Sequence, residues 1–175
     1  MSFQNLIVTK SATFENVFVF QPSINYDERG SIFTSYNKEL YQPYLPGDIE
    51  FIHDKFAESK HNVLRGLHGD NKTWKLVSCI KGEIFQVVVD NRPDSRTYLK
   101  WESWVLNEKN KLQILIPPNF VNGYYVMSLE AVFHYKLAYS GKYFDVNDQM
   151  VIKWNDARLK IDWPCTEPIL QPRDK

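Results

Sequence analysis

The sequence predicts an all-β chain folded as a jelly-roll barrel with few short helices. Short runs rich in Val, Ile, Phe, Tyr and Trp recur along nearly the whole length, separated by turn residues, which is the spacing of a barrel or sandwich. Composition agrees. Aromatic residues make up 15% of the chain, while Gly (7) and Pro (9) are ordinary, which excludes disordered and fibrous classes. A length of 175 residues suits one domain spanning 1–175.

In chain order, the first candidate strands are Leu6–Val8, Val17–Phe20 and Ser31–Ser35. Asn37–Tyr41 is the one plausible early helix, ended by Pro43. Strand character resumes at Glu50–Phe56 and Val63–Leu67, then at Lys75–Ile80 and Glu83–Asp90. Lys81-Gly82 joins those last two strong strands and reads as a hairpin turn. Tyr98–Leu106, Lys111–Ile116, Tyr124–Met127 and Ala131–Tyr139 complete the set. Trp163-Pro164 and Pro168 predict an irregular tail packed back on the body. About eleven antiparallel strands suit a jelly roll of the cupin type, which holds a small ligand between its sheets. A flat sandwich without a cavity fits the same spacing.

Lys plus Arg equals Asp plus Glu at 21 each, so the chain lacks the cation surplus of a general nucleic-acid binder. No apolar run approaches the ~20 residues of a membrane span. Met1 to Lys10 has no apolar leader core, and Cys79 and Cys165 form no disulfide or zinc pattern. A cytoplasmic protein without membrane association is expected.

Four histidines, His53, His61, His68 and His134, include no H-x-H pair, and His68-Gly69-Asp70 alone is weak support for a metal, so none is expected. Arg65-Gly66-Leu67-His68-Gly69-Asp70 gathers a guanidinium, an imidazole and a carboxylate, with glycines that permit close backbone approach to a ligand. The plain alternative is a polar turn at a strand end. Alternation along Ala131–Tyr139 puts Phe133, Tyr135, Leu137 and Tyr139 inside, and sends His134 outward or into an interface. Lys75 opens a strongly apolar strand, where a snorkelling surface lysine is the ordinary reading.

Together these stretches resemble the dTDP-4-dehydrorhamnose 3,5-epimerase family of cupin-fold nucleotide-sugar epimerases. The matching segments run in order from Asp27-Glu28-Arg29-Gly30 through Val63-Leu64-Arg65-Gly66-Leu67-His68, Lys75-Leu76-Val77, Gly82-Glu83-Ile84-Phe85 and Val88-Val89-Asp90. They continue through Ser95-Arg96-Thr97-Tyr98, Ile116-Pro117-Pro118, Tyr135-Lys136, Trp154-Asn155-Asp156 and Ile161-Asp162-Trp163-Pro164 to Arg173-Asp174. The resemblance implies proton removal beside a C4 ketone and its return on the opposite face, without cofactor. It implies His68 as general base, Asp174 as the carboxylate that orients it, Tyr135 as the reprotonating acid and Lys75 as the enolate stabiliser. Arg29 and Arg65 match contacts to the diphosphate and nucleotide, and the family's usual homodimer is implied as well.

This sequence departs from the family pattern around that quartet. Asn122-Gly123-Tyr124 replaces His-Gly-Phe, His53-Asp54-Lys55 replaces Gln-x-Asn, and Arg29-Gly30-Ser31-Ile32-Phe33-Thr34 replaces Arg-Gly-x-Phe-x-Glu. His53, Lys55, Asn122 and Phe33 are accordingly placed among the substrate-binding residues. The variant stretches look closest to a branch acting on GDP-linked 4-keto-heptoses for capsule or surface polysaccharide. The alternatives are a dTDP-4-keto-6-deoxyglucose 3,5-epimerase, a 3,4-ketoisomerase, and a non-catalytic sugar-nucleotide-binding cupin. A metal-dependent oxygenase is a further one.

Overall fold

The computed structural model describes residues 5–175; residues 1–4, part of the segment read above for a leader, lie outside them. The strands are β1 (Leu6–Lys10), β2 (Phe18–Pro22), β3 (Ile24–Asp27), β4 (Gly30–Phe33), β5 (Phe51–Lys60), β6 (Leu64–Gly69) and β7 (Trp74–Lys81). They continue as β8 (Glu83–Asp90), β9 (Trp101–Asn107), β10 (Gln113–Ile116), β11 (Phe120–Val126), β12 (Glu130–Ala138) and β13 (Met150–Val151). One sheet has the order β1-β2-β10-β7-β12-β5 and the other β13-β6-β11-β8-β9, while β3 and β4 pair only with each other. This is the two-sheet jelly roll of a cupin, with a cleft between the sheets that the flat-sandwich alternative lacks.

Alternation sorts side chains into three layers. Val77, Cys79, Ile84, Val88, Ile114, Phe120 and Phe133 meet between the sheets. Leu76, Leu115 and Ala138 face the other way and are covered by Phe20, Tyr41 and Leu45. Tyr41 belongs to the predicted helix, α1 (Lys38–Tyr41), whose cap is Asn37 accepting from the Glu39 amide at 2.9 Å. On the second sheet, Leu67, Val87, Val89 and Val121 pack outward under Ile152 and Leu159 of the irregular tail.

Two expectations need correction. Lys81-Gly82 is not a hairpin turn, because β7 and β8 lie in different sheets. Gly82, at φ +76, turns the chain from one sheet to the facing one so tightly that a Cβ there would lie 2.1 Å from the Glu130 carbonyl oxygen. Strand ends also move. The predicted Tyr98–Leu106 begins only at Trp101, and Leu99 takes φ 60 in the turn before it. β5 runs on to Lys60, β11 starts at Phe120, and β3 and β13 were not anticipated.

Candidate active site

The cleft between the sheets offers about 270 Å³ of room. Its floor is set by an irregularity between β6 and β11, where Asn122 pairs with His68 but Tyr124 pairs with Arg65. Two steps along β11 thus oppose three along β6, the count of a β-bulge. Because of the extra residue, Arg65 and His68 both line the cleft despite their odd spacing. The bulge needs glycine. Gly66 sits at φ +129, and a Cβ on it would lie 2.4 Å from the Gly123 Cα. The glycines beside His68 therefore serve strand-to-strand approach rather than the approach to a ligand that their sequence context suggested.

His68 projects into the cleft and is held from both sides. Its Nε2 lies 2.6 Å from Asp174 Oδ1, and its Nδ1 lies 2.9 Å from Arg173 Nη2. A carboxylate only accepts and a guanidinium only donates, so the partners assign the neutral tautomer with the proton on Nε2. Asp174 is fully buried. Burial pushes its carboxyl up, but the hydrogen bond from His68 and the charge that ring carries when protonated outweigh that and leave it below the ordinary carboxylate value. Asp70, by contrast, accepts from the Lys72 and Thr73 amides at 2.9 and 2.6 Å. It is the polar turn at the strand end. Among the described residues no group of three or more His, Cys, Asp or Glu side chains is arranged to hold an ion.

Lys75 is not a snorkelling surface lysine. It points inward from β7, and its Nζ donates to the His68 carbonyl oxygen and to Asn122 Oδ1, both at 2.9 Å. Burial lowers its ammonium to about 8, against the Asp70 carboxylate and with the Arg173 cation adding to the fall.

On the sheet that faces His68, β12, the neighbour of β7, turns Phe133, Tyr135 and Leu137 into the cleft, as alternation predicted, whereas Tyr139, expected with them, lies beyond the end of the strand. Burial raises the Tyr135 phenol while the nearby Lys55 cation lowers it, with burial winning. Lys55 stands opposite Tyr135 in the β5–β12 register, its ammonium 5.8 Å from the Tyr135 ring and 4.8 Å from that of Tyr143. His134 faces outward, stacked under Phe56 at 4.7 Å and bonded to Asp54 at 2.7 Å.

Of the remaining predicted residues, Arg65 lines the cleft and donates from Nε to Ser59 Oγ at 3.0 Å. His53 stays at the rim, 3.2 Å from the Tyr139 hydroxyl. Arg29 and Phe33 are not in this chain's cleft. Arg29 is at the turn between β3 and β4, its side chain 90% exposed and paired with Asp27. Phe33 lies under the Lys111 ammonium, 5.0 Å from the ring centroid. Their hairpin pairs with neither of the two larger sheets, which no local sequence pattern encodes. Arg173, Tyr143 and Gln149 line the cleft and were not anticipated; for Arg173 the only signal was its place beside Asp174.

The family model for dTDP-4-dehydrorhamnose 3,5-epimerase matches residues 11–175. The dTDP-4-dehydrorhamnose 3,5-epimerase of Salmonella typhimurium is 38% identical over 173 residues, covering 97% of this chain and 92% of its own. The chain belongs to the dTDP-4-dehydrorhamnose 3,5-epimerase family. The Escherichia coli enzyme of that name is also 38% identical, over 92% of this chain and 88% of its own. A crystal structure of the Legionella pneumophila dTDP-6-deoxy-D-glucose-3,5-epimerase in complex with dTDP-4-keto-L-rhamnose superposes with a TM-score of 0.89 at 35% identity. That alignment covers 97% of this chain and 90% of the other. As a member of this family of epimerases, the protein is an isomerase acting on sugar nucleotides.

Proposed function

We propose that the protein epimerises a dTDP-linked 4-keto-6-deoxyhexose at the carbons flanking its ketone. The observation that carries the reading is the placement of two proton-handling groups on facing sheets, His68 with Asp174 on one side and Tyr135 on the other, with the Lys75 ammonium in the same cleft. His68 Nδ1 takes the proton from the carbon beside C4. The C–H electron pair becomes the C=C bond of an enolate, and the ketone pair moves onto O4. The Lys75 ammonium stabilises that oxygen where its charge develops. Tyr135 returns a proton from the opposite face, the C=O re-forms and the centre is inverted. A neutral imidazole held by a carboxylate is a base suited to neutral pH, and a phenol kept protonated by burial is an acid ready to donate. The Tyr135 hydroxyl has no hydrogen bond with a side chain or backbone group of the described residues, which leaves it to the substrate.

The relatives named for a dTDP sugar favour this substrate over the GDP-4-keto-heptose read from the variant positions. That finer reading rests on the variant stretches alone, His68-Gly69-Asp70 and Tyr135-Lys136-Leu137-Ala138-Tyr139 included. Proton NMR in deuterated water decides. Deuterium entering C3 and C5 of dTDP-4-keto-6-deoxyglucose is expected, with turnover above that of GDP-4-keto-heptose. Faster exchange into the heptose reverses the substrate assignment. A product carbonyl at C3 indicates ketoisomerisation, and no exchange into either sugar indicates a binding protein.

A homodimer completes the reading. The β3–β4 hairpin pairs with no other strand, and Tyr26 and Ile32 on it are 71% and 61% exposed. A second copy of the chain covers those side chains and brings Arg29 to a diphosphate in the neighbouring cleft. Sedimentation equilibrium tests the assembly, with a monomer contradicting it.

A further inference from the structure

His68 uses both ring nitrogens. With Nε2–H donating its hydrogen bond to Asp174, Nδ1 carries the one lone pair able to take a proton from carbon. That lone pair already accepts from Arg173 Nη2 at 2.9 Å. An arginine has no acceptor and does not lose its charge, so this contact blocks the base. One lone pair cannot serve a guanidinium and a substrate C–H together. Arg173 must leave Nδ1 before proton abstraction begins.

Its other contacts permit that. Nη1 donates to the Val146 carbonyl oxygen at 3.1 Å, and Nη2 reaches Gln149 Oε1 at 3.4 Å, both in the segment over the cleft. Nε has no hydrogen-bond partner among the described residues, and its nearest carboxylate oxygen, Asp174 Oδ1, is 3.8 Å away. The guanidinium therefore has no bidentate carboxylate, the geometry in which arginine pairs most strongly. It is a cation beside the cleft with its preferred kind of partner missing.

We propose that Arg173 is a substrate-operated latch on the base. In the free protein it occupies the His68 lone pair. The entering sugar ring displaces it, and the guanidinium passes to the oxygens of the substrate's diphosphate. This rests on His68 being the base, and it adds a gate that Asp174, Lys75 and Tyr135 do not provide.

The test is long-range proton–nitrogen NMR on the full chain labelled with 15N-histidine, at a pH where the imidazole is neutral. Arg173→Ala is expected to move the His68 Nδ1 resonance toward that of a free lone pair, with Nε2 unchanged. Saturating dTDP-glucose, which has no C4 ketone to enolise, should move wild-type Nδ1 off its Arg173-bonded position and leave the variant's nearly still. Binding is followed by 31P NMR. An Nδ1 indifferent to Arg173→Ala overturns the latch whichever nucleotide binds. Bound dTDP-glucose that leaves wild-type Nδ1 in place overturns the trigger. If dTDP-glucose does not bind, the substrate reading fails first, and the Arg173→Ala spectrum still decides whether the cap exists. In kinetics, Arg173→Ala should raise KM about 10-fold or more with kcat changed less than about 3-fold, and Arg173→Lys should recover part of the KM.

Discussion

His68 Nε2 and Asp174 Oδ1 lie 2.6 Å apart although 106 residues separate them in the chain. The tail brings them together. Ile169 bridges to Val63, and the short 3-10 turn Pro172–Asp174 delivers the carboxylate behind β6. Asp174→Asn keeps an acceptor for the Nε2 proton but removes the charge that stabilises the imidazolium formed in proton abstraction. Its kcat is expected to fall by about 10²–10⁴-fold with KM little changed, read in the deuterium-exchange assay. Because the folded carboxyl sits below its unfolded value, its contribution to stability is present above the unfolded pKa and is lost as pH falls through the folded one. Acid unfolding of Asp174→Asn should therefore be less steep than that of wild type.

Lys75 should set the alkaline side of the activity profile. Its ammonium is needed at O4 and titrates at about 8, so kcat is expected to fall as pH rises past that value. Lys75→Met should lose the activity at every pH. The linkage runs the other way for folding. Between about 8 and the ordinary 10.5 the unfolded lysine binds more protons than the folded one, so wild-type stability should gain on that of Lys75→Met by about 3 kcal/mol across this window. Denaturant titrations of both proteins at pH 7.5 and 10.5 measure the difference. A gap that does not change with pH contradicts a buried cation.

Local pattern made β12 legible, because alternation alone turned Phe133, Tyr135 and Leu137 inward. It also gave α1, a residue long at its start, with Pro43 just beyond its end. What it could not give was the pairing of distant segments. Lys81-Gly82 reads as a hairpin because two strong strands flank a glycine, yet whether those strands pair or part depends on which sheet each joins. The Asp174 assignment came through family resemblance, since nothing near residue 174 points to His68. Arg173 escaped for the same reason. Its role depends on where the mostly irregular tail, with its short closing 3-10 turn, meets β6.

Tyr135→Phe separates proton removal from inversion. The base on the first face remains, so the carbon acid should still lose its proton to His68 and regain a solvent deuteron on the same face. Exchange with retention is expected at a measurable rate, while the inverted product falls by about 10²–10⁴-fold. His68→Asn, lacking the base, should abolish exchange and inversion together. Loss of both in Tyr135→Phe contradicts the assignment of the two groups to opposite faces.

Gly66→Ala tests the bulge that aims His68. At φ +129 an alanine is strained, and its Cβ would meet backbone, not a side chain that can swing aside, at 2.4 Å from the Gly123 Cα. Positive φ costs about 1–3 kcal/mol, and forcing β6 from β11 adds a cost of about 1–3 kcal/mol for overpacking. A loss of about 2–6 kcal/mol in unfolding free energy is expected from these two effects. Ala at Gly30, also at positive φ but with nothing within 4 Å of its Cβ, isolates the backbone part. If the two variants lose equal stability, the close crossing of β6 and β11 contributes nothing, and the inward aim of Arg65 and His68 needs another cause.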